Sequence, residues 1–161
     1  MHCTESDLHR LALDHINDDG HIHRVLTRRS GTKLYSWLKT HGWPPGYQVL
    51  CHNCNIVKRS MRYEIEDPTR RQITSRRRKD EVKSLVLTHY GDGRLACVRC
   101  GFDQLVALTI DHVNDDGHVT RDDDARPGCG FYLSLMRDGF PDGFQTLCFC
   151  CNMEKEIRLR R

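Results

Sequence analysis

The sequence predicts an α+β protein built of two small zinc-stapled units, duplicated in tandem and joined by a basic helical linker. Three observations carry that expectation: a repeat at an offset of 97 residues, cysteines paired as C-x-x-C, and an arginine-rich stretch between the copies. The stretch Leu13-Asp14-His15-Ile16-Asn17-Asp18-Asp19-Gly20-His21 returns as Ile110-Asp111-His112-Val113-Asn114-Asp115-Asp116-Gly117-His118. Cys51-x-x-Cys54-Asn55 returns as Cys148-x-x-Cys151-Asn152, and about 24 of 56 aligned positions from Cys3/Cys100 to Lys58/Lys155 are identical. A repeat that keeps Asp, His, Cys and Asn while its apolar positions drift preserves chemistry as well as a core.

Residues 1–66 form the first unit, 67–92 the linker and 93–161 the second unit. At roughly 60 to 70 residues each unit has a marginal core and needs a staple. Nine cysteines can supply it. Their C-x-x-C spacing, with no secretory leader at Met1-His2-Cys3-Thr4, favours zinc in a reducing cytoplasm over disulfides. No apolar run approaches the roughly 18 residues of a membrane span. The net charge of +3 is mild but unevenly placed: ten Lys or Arg against five Asp or Glu lie between Lys58 and Lys83. Arg70, Arg71, Arg76, Arg77, Arg78 and Lys79 are the candidate phosphate contacts, and a solvated linker is the plainer alternative.

Each unit reads as strand, long loop, strand, helix. Leu11-Ala12-Leu13 and Leu108-Thr109-Ile110 suit strands that lead into Asp-His, and the Asn-Asp-Asp-Gly that follows is turn chemistry. Leu34–Leu38 and Phe131–Leu135 suit short helices stopped by Gly42 and Gly139. Gly46–Leu50 and Gly143–Leu147 suit second strands, each running into C-x-x-C and a final helix. Between the units, Thr69 is a candidate N-cap for a helix with Ile73, Val82, Leu85, Val86 and His89 near one face, ended by Gly91-Asp92-Gly93.

Cys97, Cys100, Cys148 and Cys151 provide the four thiolates of a closed tetrahedral structural zinc site. The gap between the pairs exceeds that of an ordinary zinc ribbon, so the segment carrying Asp-His is an insert between knuckles. Cys3, Cys51 and Cys54 match three of those ligands, and a second zinc there needs a fourth donor, for which His2 and His9 are candidates, or stays incomplete. Cys129 and Cys150 have no counterparts and read as ordinary residues.

Phosphodiester hydrolysis needs a base for water and a cation for the developing charge. Histidine suits the first task, and Asp and Asn oxygens suit a hard cation. The order C-x-x-C, Asp-His, strand, Leu-Cys-x-x-Cys-Asn-x-x-Lys resembles the zinc-stapled HNH endonucleases of phages and mobile elements. That resemblance implies a ββα-metal (His-Me finger) fold in each unit and a bacterial or phage-infected cell. It implies that His15 and His112 are general bases and that Asp14 with Asn55, and Asp111 with Asn152, hold Mg²⁺ or Mn²⁺. Two departures stand out: Asn55 and Asn152 replace the family's last histidine, and Gly46 and Gly143 replace its middle asparagine. Asn17 and Asn114 are candidate substitutes, while His21 and His118 could assist the metal, contact phosphate or cap the loop.

A calcium loop is excluded, because His112 stands where the first acidic ligand belongs and Leu26 where the first unit would need a bidentate acid. Tyr35, Trp37, Trp43, Tyr132 and Phe140 are expected in the core. The expected partner is double-stranded DNA, cut by a monomer with two active units, one for each strand. The competing expectation is a zinc protein that binds nucleic acid on the same scaffold without cutting it.

Overall fold

A computed structural model of the chain describes residues 3–62, 69–115 and 128–159. Its architecture is mixed α and β, with two separate antiparallel two-stranded sheets. In the first, β1 (Leu11–His15) pairs with β2 (Tyr47–Cys51), Leu11 facing Cys51 and His15 facing Tyr47. In the second, β3 (Leu108–His112) pairs with β4 (Phe144–Cys148), Leu108 facing Cys148 and His112 facing Phe144. Both ladders therefore share one register. Each first strand is entered through a short 3-10 turn, Leu8–Arg10 or Leu105–Ala107.

The expected turns follow the Asp-His pairs. The amide of Asp18 donates to His15 O at 3.1 Å, that of Asp115 to His112 O at 3.1 Å, and both aspartates take left-handed dihedrals. Aspartate tolerates that region better than most residues. The first turn does not open into a long loop, however. Gly20–Thr27 forms α1, which ends at Arg28 in the left-handed conformation. Its apolar residues Ile22, Val25 and Leu26 fall at the i, i+3, i+4 spacing of one helical face, but that face is turned to solvent and buries nothing. α2 (Thr32–Thr40) and α3 (His52–Arg62) complete this half.

α4 (Arg70–His89) starts at the expected cap. Thr69 Oγ1 accepts from the Gln72 amide, and the Thr69 amide donates to Gln72 Oε1 at 2.8 Å. Only the last turns of α4 have a sheet beneath them. Val86, Leu87 and Tyr90 are buried there, whereas Ile73 and Leu85 are about half exposed. The expected apolar face is thus shortened to the docked end. Thr146 on β4, fully buried, ties that end down: its Oγ1 donates to Leu87 O at 2.8 Å and its amide to Tyr90 O at 2.9 Å. Leu87 O lies in the last helical turn and Tyr90 O on the residue that caps it, carbonyls that have no partner within the helix. Gly91 permits the exit, since a Cβ there would meet Arg94 O at 2.2 Å. α5 (Cys129–Arg137) and α6 (Phe149–Leu159) follow.

The core is contiguous across both sheets and is made largely of leucine and cysteine: Leu50, Cys51, Cys54, Leu87, Cys97, Leu108, Leu147, Cys148, Cys150 and Cys151. Where α3 meets α6, residues 97 apart touch each other. The rings of His52 and Phe149 lie edge to face at 6.0 Å. The Asn53 amide donates to Cys150 Sγ at 3.3 Å and the Cys150 amide to Asn53 Oδ1 at 3.0 Å. Cys150 is therefore a packing residue at the junction. Beside it the buried Glu154 accepts from Arg10 Nε at 2.9 Å, a long-range pair that joins the two halves. Of the aromatics expected inside, Trp43 is 62% exposed and Tyr35 48%, while Trp37, Tyr132 and Phe140 are half-buried.

Candidate functional site

Two all-cysteine groups converge among the described residues. In Cys97, Cys100, Cys148 and Cys151 the four sulfurs all lie within 4.8 Å of one another, and Cys100 and Cys148 are 3.6 Å apart. A tetrahedron with zinc–sulfur bonds of about 2.3 Å has sulfurs about 3.8 Å apart, so the donor set fits zinc. Burial pushes the Cys100 thiol up to about 11, while hydrogen bonds from Cys148 and Cys151 lower Cys97 strongly. A cation makes several thiolates tolerable in one buried place, and binding it releases protons. Cys3, Cys51 and Cys54 form the second group. Burial pushes the Cys54 thiol up to about 12. His9 is not part of that group, and His2 lies outside the described residues.

Each Asp-His pair sits at the end of its unit's first strand, held by one repeated polar network. Asp14 Oδ2 accepts from Gln48 Nε2 at 2.8 Å and from Lys58 Nζ at 2.7 Å. Asp111 Oδ2 accepts from Gln145 Nε2 and Lys155 Nζ, both at 2.7 Å. The same ammonium groups donate to the carbonyls of His15 (2.6 Å) and His112 (2.5 Å) and pair with Asp18 (2.9 Å) and Asp115 (2.8 Å). Burial lowers both lysines, but the bonds to their two aspartates outweigh it and hold them above the ordinary value. Each lysine thus clips the helix after the knuckle to the strand end and its turn. The sequence reading missed these residues as site-builders, although Asp18, Gln48 and Lys58 are all kept 97 residues on, the same signal that pointed to the histidines.

In the first unit the pair opens onto a cleft of about 660 Å³, whose lining includes Asp14, His15, His21, His23 and Asn55. His15 Nε2 lies 3.0 Å from His23 Nδ1, and the His15 ring leans on Tyr47. Burial holds His15 below the ordinary histidine value, so its neutral, proton-accepting form is favoured. Nδ1 of His15 faces Gly20, where a Cβ would stand 2.9 Å away. His23 could not be found from the repeat, because Thr120 stands at the equivalent place. Asp14 and Asn55 bring oxygens to the cleft, and Asp19 Oδ1, which does not line it, is buried with no hydrogen-bond partner. Among the described residues the groups of side chains that could hold a metal ion are the two cysteine clusters.

In the second unit His112 packs against Phe144 at 4.7 Å and lies near Phe131 in a three-ring cluster, and Asn152 is half-buried on the first turn of α6. His118 lies outside the described residues. Asn17 and Asn114 sit exposed in their turns, and Asn17 does not line the first cleft. Arg76, Arg77, Arg78 and Lys79 are exposed on the free part of α4, while the side chains of Arg70 and Arg71 lie outside the described residues. Among the described residues no helix is long and apolar enough to cross a membrane. Comparison with protein families, curated proteins and solved structures returned no match.

Proposed function

We infer that the chain is a metal-dependent DNA endonuclease of the zinc-stapled HNH type, with two ββα-metal units on one chain. The observation that carries this reading is the first cleft, where a half-buried, neutral-leaning histidine lines the same cavity as Asp14 and Asn55. In the reaction His15 takes a proton from the attacking water at Nδ1, the nitrogen not engaged by His23. The water oxygen forms the new bond to phosphorus, and the bond from phosphorus to the leaving sugar oxygen breaks. A bound magnesium or manganese ion supplies charge neutralisation at the phosphate and leaving oxygen. His112 with Asp111 and Asn152 plays the same part in the second unit, and zinc on the cysteine groups is structural.

One observation favours the competing reading of a non-cutting nucleic-acid-binding protein. Lys58 and Lys155 already neutralise one oxygen of Asp14 and Asp111, leaving each carboxylate less to offer a cation. Supercoiled plasmid separates the two. A nuclease nicks or linearises it with magnesium or manganese and stops after chelation of those ions, and His15→Ala/His112→Ala loses the activity. A plasmid that is retarded in a gel but never cut favours the binding protein.

A further inference from the structure

The first cleft carries a charge pattern that the histidine and its neighbours do not use. Arg24 on α1, Arg29 in the loop before α2 and Arg59 on α3 all line it. Among the described residues none of the three is ion-paired, whereas the two aspartates in the same wall, Asp14 and Asp18, are both taken by Lys58. The two acids share one ammonium, and the three guanidinium groups leave the cleft with an excess of positive charge. Arg29 is further held by an aromatic shelf, its guanidinium 5.6 Å from the centre of the Trp37 ring. A guanidinium on a fixed support, with its fork unspent, is suited to paired hydrogen bonds with phosphate oxygens.

The second unit keeps only part of this arrangement. Arg24 and Arg29 correspond to Arg121 and Arg126, but Arg59 corresponds to Glu156 and Trp37 to Ser134. Arg59 lies one residue beyond Lys58 on α3, and Glu156 one residue beyond Lys155 on α6, so the exchange reverses charge beside the repeated lysine. A carboxylate there repels the anion that a guanidinium attracts. We propose that the first cleft grips a backbone phosphodiester of nucleic acid through Arg24, Arg29 and Arg59, and that Glu156 withholds the same grip from the second unit. This rests on the nucleic-acid substrate of the reading above but not on catalysis.

The test is binding of the full zinc-loaded chain to a labelled duplex of about 20 base pairs, without magnesium or manganese so that nothing is cut. Affinity is read against salt concentration. Arg59→Ala should weaken binding by about tenfold or more and lower the log–log salt slope by about 0.9, one phosphate contact. Arg59→Lys should keep most of the slope while recovering only part of the affinity, because the charge returns without the fork. Glu156→Arg should tighten binding and steepen the slope. Circular dichroism and zinc content, measured on each variant, separate a lost contact from a lost fold. A correctly folded Arg59→Ala that binds like the wild-type chain overturns the proposal, and so does a Glu156→Arg that gains nothing. Wild-type chain that binds duplex but never cuts it sinks the nuclease reading and leaves this proposal standing.

Discussion

Gly20 occupies a position where a single methyl group has a defined consequence. A Cβ there would meet His15 Nδ1 at 2.9 Å and Cε1 at 3.3 Å, so the imidazole must shift to admit it. Gly20 is the first residue of α1, where the helix-interior preference for alanine does not apply, so Gly20→Ala is expected to fold with a modest loss of stability while displacing the proposed base. Removing a positioned base typically costs about 10²–10⁴ in rate, and a comparable loss of first-unit cutting is expected, with zinc content unchanged. Undiminished cutting would mean that Nδ1 is not the proton acceptor. The side chains that build the site were unequally visible in the sequence. His15, Asp14 and Asn55 stand out because the repeat keeps them, and so do Gln48 and Lys58 once repetition is weighed on polar residues of every type. His23, 3.0 Å from His15, has no such trace, since nothing in its spacing distinguishes it from a solvent-facing residue of α1.

α4 shows how an element can be both legible and misjudged. Its start at Thr69 and its end before Gly91 follow from local chemistry, a capping box and a turn that only glycine fits, and local chemistry is what a sequence displays. Which face it buries depends on where the second sheet lies, and that is tertiary information. The helix docks by its last turns alone, through Val86, Leu87 and the buried Thr146. Thr146→Val keeps the shape but leaves Leu87 O buried without its donor, and a loss of about 1–3 kcal/mol is expected in chemical denaturation of the zinc-loaded chain. A loss no larger than that of an exposed substitution would show that the hydroxyl does not cap the helix. The cysteine groups make a stronger demand on the elements around them. Cys148 ends β4 and Cys151 lies in α6, so a metal held by them would join sheet to helix where the core is otherwise small. Elemental analysis should find one zinc for each cysteine group, and Cys97→Ser should lose the second unit's metal together with its near-ultraviolet dichroism. Full zinc content and native dichroism in Cys97→Ser would rule out a tetrathiolate site.

The junction between the halves bears on what the whole chain can do to a duplex. Contacts between equivalent residues, His52 with Phe149 and Asn53 with Cys150, are the mark of a two-fold interface, in which a patch meets its own copy. Here the copies belong to one chain, and α3 meeting α6 sets the distance between the Asp-His pairs. α4 does not set it, because its last turns are built into the second core. Two sites related by such an axis match the symmetry of duplex DNA, whose strands run in opposite directions. The expected outcome is that the wild-type chain breaks both strands, that His15→Ala and His112→Ala each leave a nicking enzyme, and that the two variants nick opposite strands of an end-labelled duplex. Loss of Arg59's grip should fall mainly on the strand cut by the first unit, since the second carries Glu156 in its place. Disrupting the junction offers an independent check. Arg10→Ala removes the cross-half partner of the buried Glu154 but leaves it paired with Arg158, so the loss should fall below the about 3–5 kcal/mol of a wholly unpaired buried charge. If the junction coordinates the two cuts, that variant should accumulate nicked plasmid before linear product appears. Should His15→Ala still cut both strands as the wild-type chain does, the first unit would be a grip alone and catalysis would belong to the second.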